Sequence, residues 1–231
     1  VEETCLQLGR IMAEIQESGA VPLLIGGGSE LNFSMYRSFT LLGRYANLLE
    51  VSPVLHFKEV SEALTPENVL GRMLGEEPQM LFHYCNLGYQ TYFNPPELLG
   101  LFKQFHFDLM RLGEVRSRVE TTEPLIRDAH LVGLNMAAVR KADVPHAPGA
   151  SPNGLAADEI CRLARYAGLS HKLRAVALTG LAPDLAQQSA DAHLAAQVIW
   201  HVLEGFYVRK PETLEVDAEP YLRFTVPLKG F

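Results

Sequence analysis

Val21-Pro22-Leu23-Leu24-Ile25-Gly26-Gly27-Gly28-Ser29-Glu30 decides the fold class of this chain. Leu23 to Ile25 form a short apolar run of the kind that builds a buried strand. The glycine triplet behind it carries no Cβ, so the backbone can turn sharply and come close to a ligand or a neighbouring loop. In an open α/β sheet the loops at the carboxyl ends of strands form the binding crevice, which places the expected chemistry directly after Gly28. The residues there are Ser29, Glu30, Leu31 and Asn32, none of them a strong nucleophile or an evident general base. The address of a catalytic site is present and its reactive groups are not.

Outward from this stretch, helical and strand patterns alternate. Thr4 to Ser18 predicts a helix with Leu8, Ile11, Met12 and Ile15 on its buried face, stopped by Gly19. The strand at Pro22 to Ile25 leads to a helix around Asn32 to Leu42 and a short strand at Asn47 to Val51. Thr65 to Leu74 predicts a helix capped by Thr65, with Pro66 at its first position. Met80 to Cys85 reads as a strand, Pro96 to Arg116 as largely helical, and His130 to Met136 as a strand. Gly154 to Ala167 reads as a helix ended by Gly168, Leu173 to Thr179 as a strand, and Ser189 to Val208 as a long helix. Repeated strand–helix units predict a three-layer α/β/α fold with a mainly parallel sheet covered on both faces. The strands ending at Ile25, Val51 and Met136 are expected in one sheet, parallel, with their carboxyl ends together.

Composition narrows the function classes. A chain of 231 residues can bury one substantial core and is read as a single domain over 1–231. The net charge of −7, without a Lys/Arg cluster along the sequence, argues against a nucleic-acid surface. Cys5, Cys85 and Cys161 are odd in number and far apart, which points to reduced, buried thiols of a cytoplasmic protein. No apolar run is long enough to span a membrane, and the first residues do not spell a signal peptide. Pro- and Gly-rich Val144 to Gly154 reads as a structured loop inside the domain, because a strand precedes it and a helix follows.

That loop and the glycine triplet together resemble the ureohydrolase superfamily of arginase, agmatinase and formimidoylglutamase. The family's Gly-Gly-Gly/Asp-His motif is matched by Gly26-Gly27-Gly28-Ser29-Glu30. Its Ala-Pro-Gly and following Gly-Leu are matched by Ala147-Pro148-Gly149 and Gly154-Leu155. Its Glu-x-x-Pro is matched by Gly180-Leu181-Ala182-Pro183-Asp184, which keeps the proline. The resemblance runs from about Val1 to Lys210 and implies an arginase-like fold. The family's amino-terminal strand and some carboxyl-terminal residues are expected to be missing.

The resemblance also implies a site. The family holds two manganese ions with two histidines and four aspartates from three strand ends, and two metals about 3.5–4 Å apart can polarise a guanidino-like carbon and supply hydroxide. Aligned on this chain, the ligand positions are Ser29, Ser52, Val54, His56, Asn135 and Ala137, and the glutamate that would grip the substrate is Gly180. Serine and asparagine oxygens bind manganese weakly without carboxylates beside them. No cofactor is therefore expected, with manganese as the alternative.

Other motifs have plainer readings. Asp128-Ala129-His130 and Asp191-Ala192-His193 begin the family's Asp-Ala-His-x-Asp motif but continue to Val132 and Ala195. Asp128 precedes a strand instead of following one, and Asp191 falls in a first helical turn, where a carboxylate suits the macrodipole. His193 and His201 share a helix without a third ligand. Glu30 and His56 are the ionisable side chains at the expected pocket mouth and form a candidate acid/base pair. Phe102, Phe105 and Phe107, with Trp200, Phe206 and Tyr207, are expected in the core or at subunit contacts. Leu87 to Phe93 lines either a pocket or an interface.

The preferred reading is a degenerate arginase-like protein, a non-catalytic pseudoenzyme acting by binding or assembly and expected to form a homo-oligomer. The alternatives are a manganese-dependent hydrolase of linear C–N bonds in guanidino or formimino compounds, and a small-molecule sensor using the old pocket.

Overall fold

The computed structural model describes residues 1–58, 63–181 and 189–210. Six strands form one sheet: β1 (Leu23–Ile25), β2 (Ala46–Val51), β3 (Leu81–Tyr89), β4 (Asp108–Arg111), β5 (Leu131–Asn135) and β6 (Ala175–Thr179). Their spatial order is β1-β6-β5-β2-β3-β4, and every pairing is parallel. The chain moves outward from β2 to β3 and β4, then returns to β5 on the other side of β2. The gap between β2 and β5 is thus the point where the connections diverge, the place where open α/β sheets form their crevices.

Eight helices cover the sheet: α1 (Glu2–Glu17), α2 (Asn32–Leu41), α3 (Val69–Leu74), α4 (Pro96–Gln104), α5 (Leu112–Ser117), α6 (Glu123–Asp128), α7 (Ala157–Leu169) and α8 (Ser189–Val208). Alternate strand residues serve opposite faces. Leu48, Tyr84, Leu131 and Ala177 pack with Met12, Phe33, Tyr36, Leu70 and Phe102 of α1 to α4. Leu49, Leu87, Val132 and Leu178 pack with Val115, Ile126, Leu163 and Val198 of α5 to α8. This is the three-layer α/β/α arrangement expected from the alternation. The strands ending at Ile25, Val51 and Asn135 are parallel in it as anticipated. Among the described residues no helix is long and apolar enough to cross a membrane. Cys5, Cys85 and Cys161 are free and buried, as expected.

Local expectations differ from the structure in five places. In α1 the buried face is Cys5, Gly9, Met12, Ala13 and Gln16, and Ile11 is exposed. The helix turns this face to α2, where Gln16 donates to the Ser38 hydroxyl at 2.8 Å. Helix α3 starts at Val69, not Thr65. Asn68 holds the preceding residues in a turn, accepting from the Thr65 N–H and donating to the Ala63 carbonyl, each at 2.9 Å. The stretch from Pro96 to Arg116, expected to be helical in one or two pieces, forms two, but an unforeseen strand separates them: α4 ends before His106 takes a left-handed φ of 56°, and β4 precedes α5. Phe107 accordingly leaves the helix and packs edge-on against Phe102. Strand β3 runs on to Tyr89, so Leu87 to Tyr89 are ladder residues.

The fifth difference is Gly168, which lies inside α7 instead of ending it. A Cβ there would stand 2.1 Å from the Val202 carbonyl oxygen, and one at Gly205 would stand 2.3 Å from that of Arg165. The two glycines let the α7 and α8 backbones touch. Gly168→Ala should therefore cost about 3 kcal/mol, the upper end of overpacking effects, since rigid backbone is the obstacle. Gly100→Ala, in α4 with open space around it, should gain about 0.5–1 kcal/mol. Urea denaturation of both variants checks this; equal shifts would contradict the close crossing.

Candidate functional site

Four of the sequence-nominated residues meet at the carboxyl end of the sheet. Ser29 follows the glycine turn after β1, where Gly26 and Gly27 adopt φ of 108° and 67°. This left-handed geometry is one that side chains resist and glycine does not. Ser52 and His56 lie on the loop after β2, and Asn135 ends β5. Asn135 Nδ2 donates to Ser29 Oγ at 2.9 Å, Ser29 Oγ lies 3.0 Å from His56 Nε2, and Ser52 Oγ lies 3.1 Å from the same nitrogen. All four are buried, Ser29 at 4 % and His56 at 9 % exposure.

The polarity of this chain follows from its far end. The Ala137 N–H donates to Asn135 Oδ1 at 2.9 Å, which turns the amide nitrogen of Asn135 toward Ser29. Ser29 Oγ accepts from it and stands in hydrogen-bond contact with His56 Nε2. The Ser52 hydroxyl reaches both Nε2 and the Val54 carbonyl, at 2.9 Å, and accepts from the Val54 N–H at 3.3 Å. Val54 and Ala137 therefore take part through their backbone, not their side chains. Gly180, at φ 71°, completes the cluster: a Cβ there would stand 2.3 Å from Asn135 Oδ1, so the carboxamide occupies the space a side chain would need.

Glu30 is not part of this chain. It forms neither a hydrogen bond nor an ion pair with His56; its carboxylate folds back over Gly28, with Oε2 buried and without a hydrogen-bond partner among the described residues. The expected acid/base pair is not formed, because His56 Nε2 is engaged by the two serines. Ala182, Pro183 and Asp184 lie outside the described residues.

Beneath the site lies a polar layer that sequence reading missed. Glu50, two residues before Ser52 on β2, is 2 % exposed and lies in the apolar run Leu48-Leu49-Glu50-Val51. It accepts from Asn32 Nδ2 at 2.5 Å and from the Tyr84 hydroxyl at 2.7 Å. Burial first, then the neighbouring Glu50, pushes the Tyr84 hydroxyl well above the ordinary tyrosine range, keeping it a donor. A Cβ on Gly133, beside Glu50 in the ladder, would stand 2.8 Å from Asn32 Nδ2. A charged residue inside an apolar strand was the available signal. The His56 loop is braced by Asn94, which accepts from the Leu55 N–H at 2.7 Å and donates to the Pro53 carbonyl at 3.0 Å.

The remaining motifs are structural. Asp128 lies at the amino end of the sheet and bonds Lys172 and Asn47; the Lys172 contact is the main cause of its lowered pKa. Asp191 is in the first turn of α8 and also ties the Val144–Gly154 loop to it, accepting from the His146 N–H at 3.2 Å. That loop is ordered by backbone bonds between Lys141 and Ser151 and between Leu155 and Ala138. Tyr89 to Tyr92 line a pocket of about 240 Å³ with Arg111, Arg116 and Asn153. Among the described residues no three His, Cys, Asp or Glu side chains could hold a metal ion together.

A serine hydroxyl donating to an imidazole is half of a nucleophile–base arrangement. Here no carboxylate among the described residues orients His56, and Ser29 is nearly closed off and bonded on both sides. The geometry is that of a tie between strand ends.

No family model matches the chain. It is 26 % identical over 212 residues to a formimidoylglutamase of Legionella pneumophila, covering 86 % of this chain and 66 % of that protein, just under two thirds of its length. Its fold superposes on Trypanosoma cruzi formiminoglutamase with Mn2+ at a TM-score of 0.82 and 18 % identity, covering 91 % of this chain and 73 % of that one. Bacillus subtilis formimidoylglutamase gives 0.80 and 16 %, covering 90 % and 68 %.

Removing the bridging hydroxyl by Ser29→Ala strands the Asn135 amide and should cost about 1–3 kcal/mol. Ser18→Ala removes an exposed hydroxyl that donates to the Ile15 carbonyl at 2.7 Å and should stay within about 0.5 kcal/mol. Chemical denaturation compares them, and equal losses would contradict a buried network.

Proposed function

We propose that this chain, which belongs to the ureohydrolase superfamily, is a non-catalytic member: an arginase- and formimidoylglutamase-like scaffold that acts by binding or assembly. The observation that carries this reading is the hydrogen-bonded chain from Asn135 through Ser29 to His56 and Ser52. Two divalent cations bring four positive charges, and their ligands must supply negative oxygens to offset them. The donor set here is one imidazole, two hydroxyls and one carboxamide. Those groups already satisfy one another, so a metal would have to break the network that holds the strand ends. The residues do not fit a pair of manganese ions, the metal named for the Trypanosoma cruzi relative.

We assign the protein to a reducing, cytoplasmic setting, supported by three free buried thiols. We also propose a homo-oligomer of closed symmetry. Its support is the outer face of α8, where Trp200, Leu203 and Tyr207 stand exposed at 58 %, 56 % and 89 % with spacings of one helical face.

Protein purified with added manganese should hold no stoichiometric metal after dialysis and release neither urea from arginine or agmatine nor formamide from formimidoylglutamate above background. About two bound manganese ions per chain would overturn the non-catalytic reading and restore a hydrolase. Sedimentation at high micromolar concentration should find an assembly larger than the monomer; a monomer would refute the oligomer.

A further inference from the structure

At the opposite end of the sheet, where strands begin, a pocket of about 610 Å³ gathers Arg44, Arg174 and Arg209 with His130, Tyr45 and Phe39. Arg44 and Tyr45 lead into β2, His130 into β5 and Arg174 into β6, while Arg209 follows α8. Among the described residues no acidic side chain lines the pocket. In a chain of net charge −7 this is an unusual concentration of positive charge. None of the three arginines forms an ion pair within 4 Å among the described residues, although most other arginines of the described chain do.

Part of this basic set has structural work. Arg174 Nη1 donates to the carbonyls of His171 and Leu173 at 2.9 and 3.0 Å, and Arg209 Nη1 to that of Ser170 at 3.3 Å. Arg209 also stacks 3.7 Å over the Phe206 ring. Each guanidinium carries further N–H donors beyond these. The Arg44 side chain is exposed and makes no hydrogen bond among the described residues, so its donors face the pocket without a partner there. His130 Nδ1 accepts from the Asn47 N–H at 3.0 Å, which puts the proton of the neutral ring on Nε2 as a donor. Burial, then the Lys172 charge, lowers its pKa and keeps the ring neutral at pH 7. Burial, then the Arg174 charge, also lowers that of Arg209, a sign of crowded like charges.

We infer that this amino-end pocket binds a small organic anion bearing two or more carboxylate or phosphate groups. Guanidinium forks match both groups in geometry and charge. The volume suits a metabolite-sized molecule, and Phe39 and Tyr45 give its carbon skeleton an apolar wall. Multiple charge is required because a single carboxylate would leave the other guanidiniums facing each other. The inference is independent of the strand-end site and stands whether or not that site is catalytic.

The test is thermal melting and calorimetric titration of the whole protein with citrate and, separately, inorganic pyrophosphate, against sodium chloride of equal ionic strength. Saturable stabilisation by at least one of the two, absent with chloride, is expected; the stronger probe identifies carboxylate or phosphate as the preferred group. Arg44→Gln should weaken the dissociation constant by about tenfold while leaving the unliganded melting temperature unchanged, and Arg44→Gln with Arg174→Gln should abolish saturation. Arg10→Gln, on the exposed side of α1, should change nothing. Absence of saturable binding by both probes, or equal binding by wild type and the Arg44→Gln variant, would overturn the proposal.

Discussion

The Ser29 hydroxyl joins three strand ends that the backbone alone would leave apart. It accepts from Asn135 at the end of β5 and bonds His56 on the loop after β2, while its own residue closes the turn after β1. A buried polar group without a partner costs about 1–3 kcal/mol, so each member constrains the next. Asn135 must face Ser29 because Ala137 holds its other end, and Gly180 must lack a side chain because Asn135 fills that space. The site is a closed set of mutual requirements, not a set of free groups awaiting a ligand.

Those requirements extend into the core. Ser52, Asn135 and Thr179 form a polar rim on one face of the sheet, and Glu50 with Asn32, Tyr84 and Asn86 lies one step below. The stretch containing Ser29 and α2 feeds both levels, Ser29 to the rim and Asn32 to Glu50. A buried carboxyl group held by neutral donors gains less than one paired with a cation, and replacing such groups by well-packed hydrophobes is often neutral or stabilising. What they supply instead is a link between α2 and the sheet, through the Asn32 amide that donates to Glu50 on β2.

Much of the fold was legible because its signals are local. Apolar runs, glycine turns and helical periods placed seven of the elements, α1, α2, α8, β1, β2, β5 and β6, within two residues of their bounds, and the parallel order followed from the alternation. Strand β4 was missed because Asp108 to Arg111 is short and follows a helix-like aromatic run, and its identity comes only from pairing with β3. Gly168 was misread as a helix end because a close helix crossing and a helix stop use the same residue for different reasons. Ser29, Ser52, His56 and Asn135 were all nominated, yet their bonding was not legible, since direction depends on the backbone N–H of Ala137. Glu30, a candidate partner for His56, stands apart from it, since its place next to Ser29 in the sequence does not reveal that the carboxylate folds back over Gly28.

The basic pocket marks the limit of linear reading. More than a hundred residues separate Arg44 from Arg174 and more than thirty separate Arg174 from Arg209, so no charge cluster exists along the sequence. A parallel sheet gathers the starts of its strands at one end as surely as it gathers their finishes at the other. The finishes of β1, β2 and β5 are joined by Ser29, Ser52, His56 and Asn135, side chains that bond one another. The starts are open and carry uncompensated positive charge, which is where long-range electrostatic attraction acts. This parallel sheet thus presents a charged concavity at its amino end, opposite the end where open α/β sheets form their crevices.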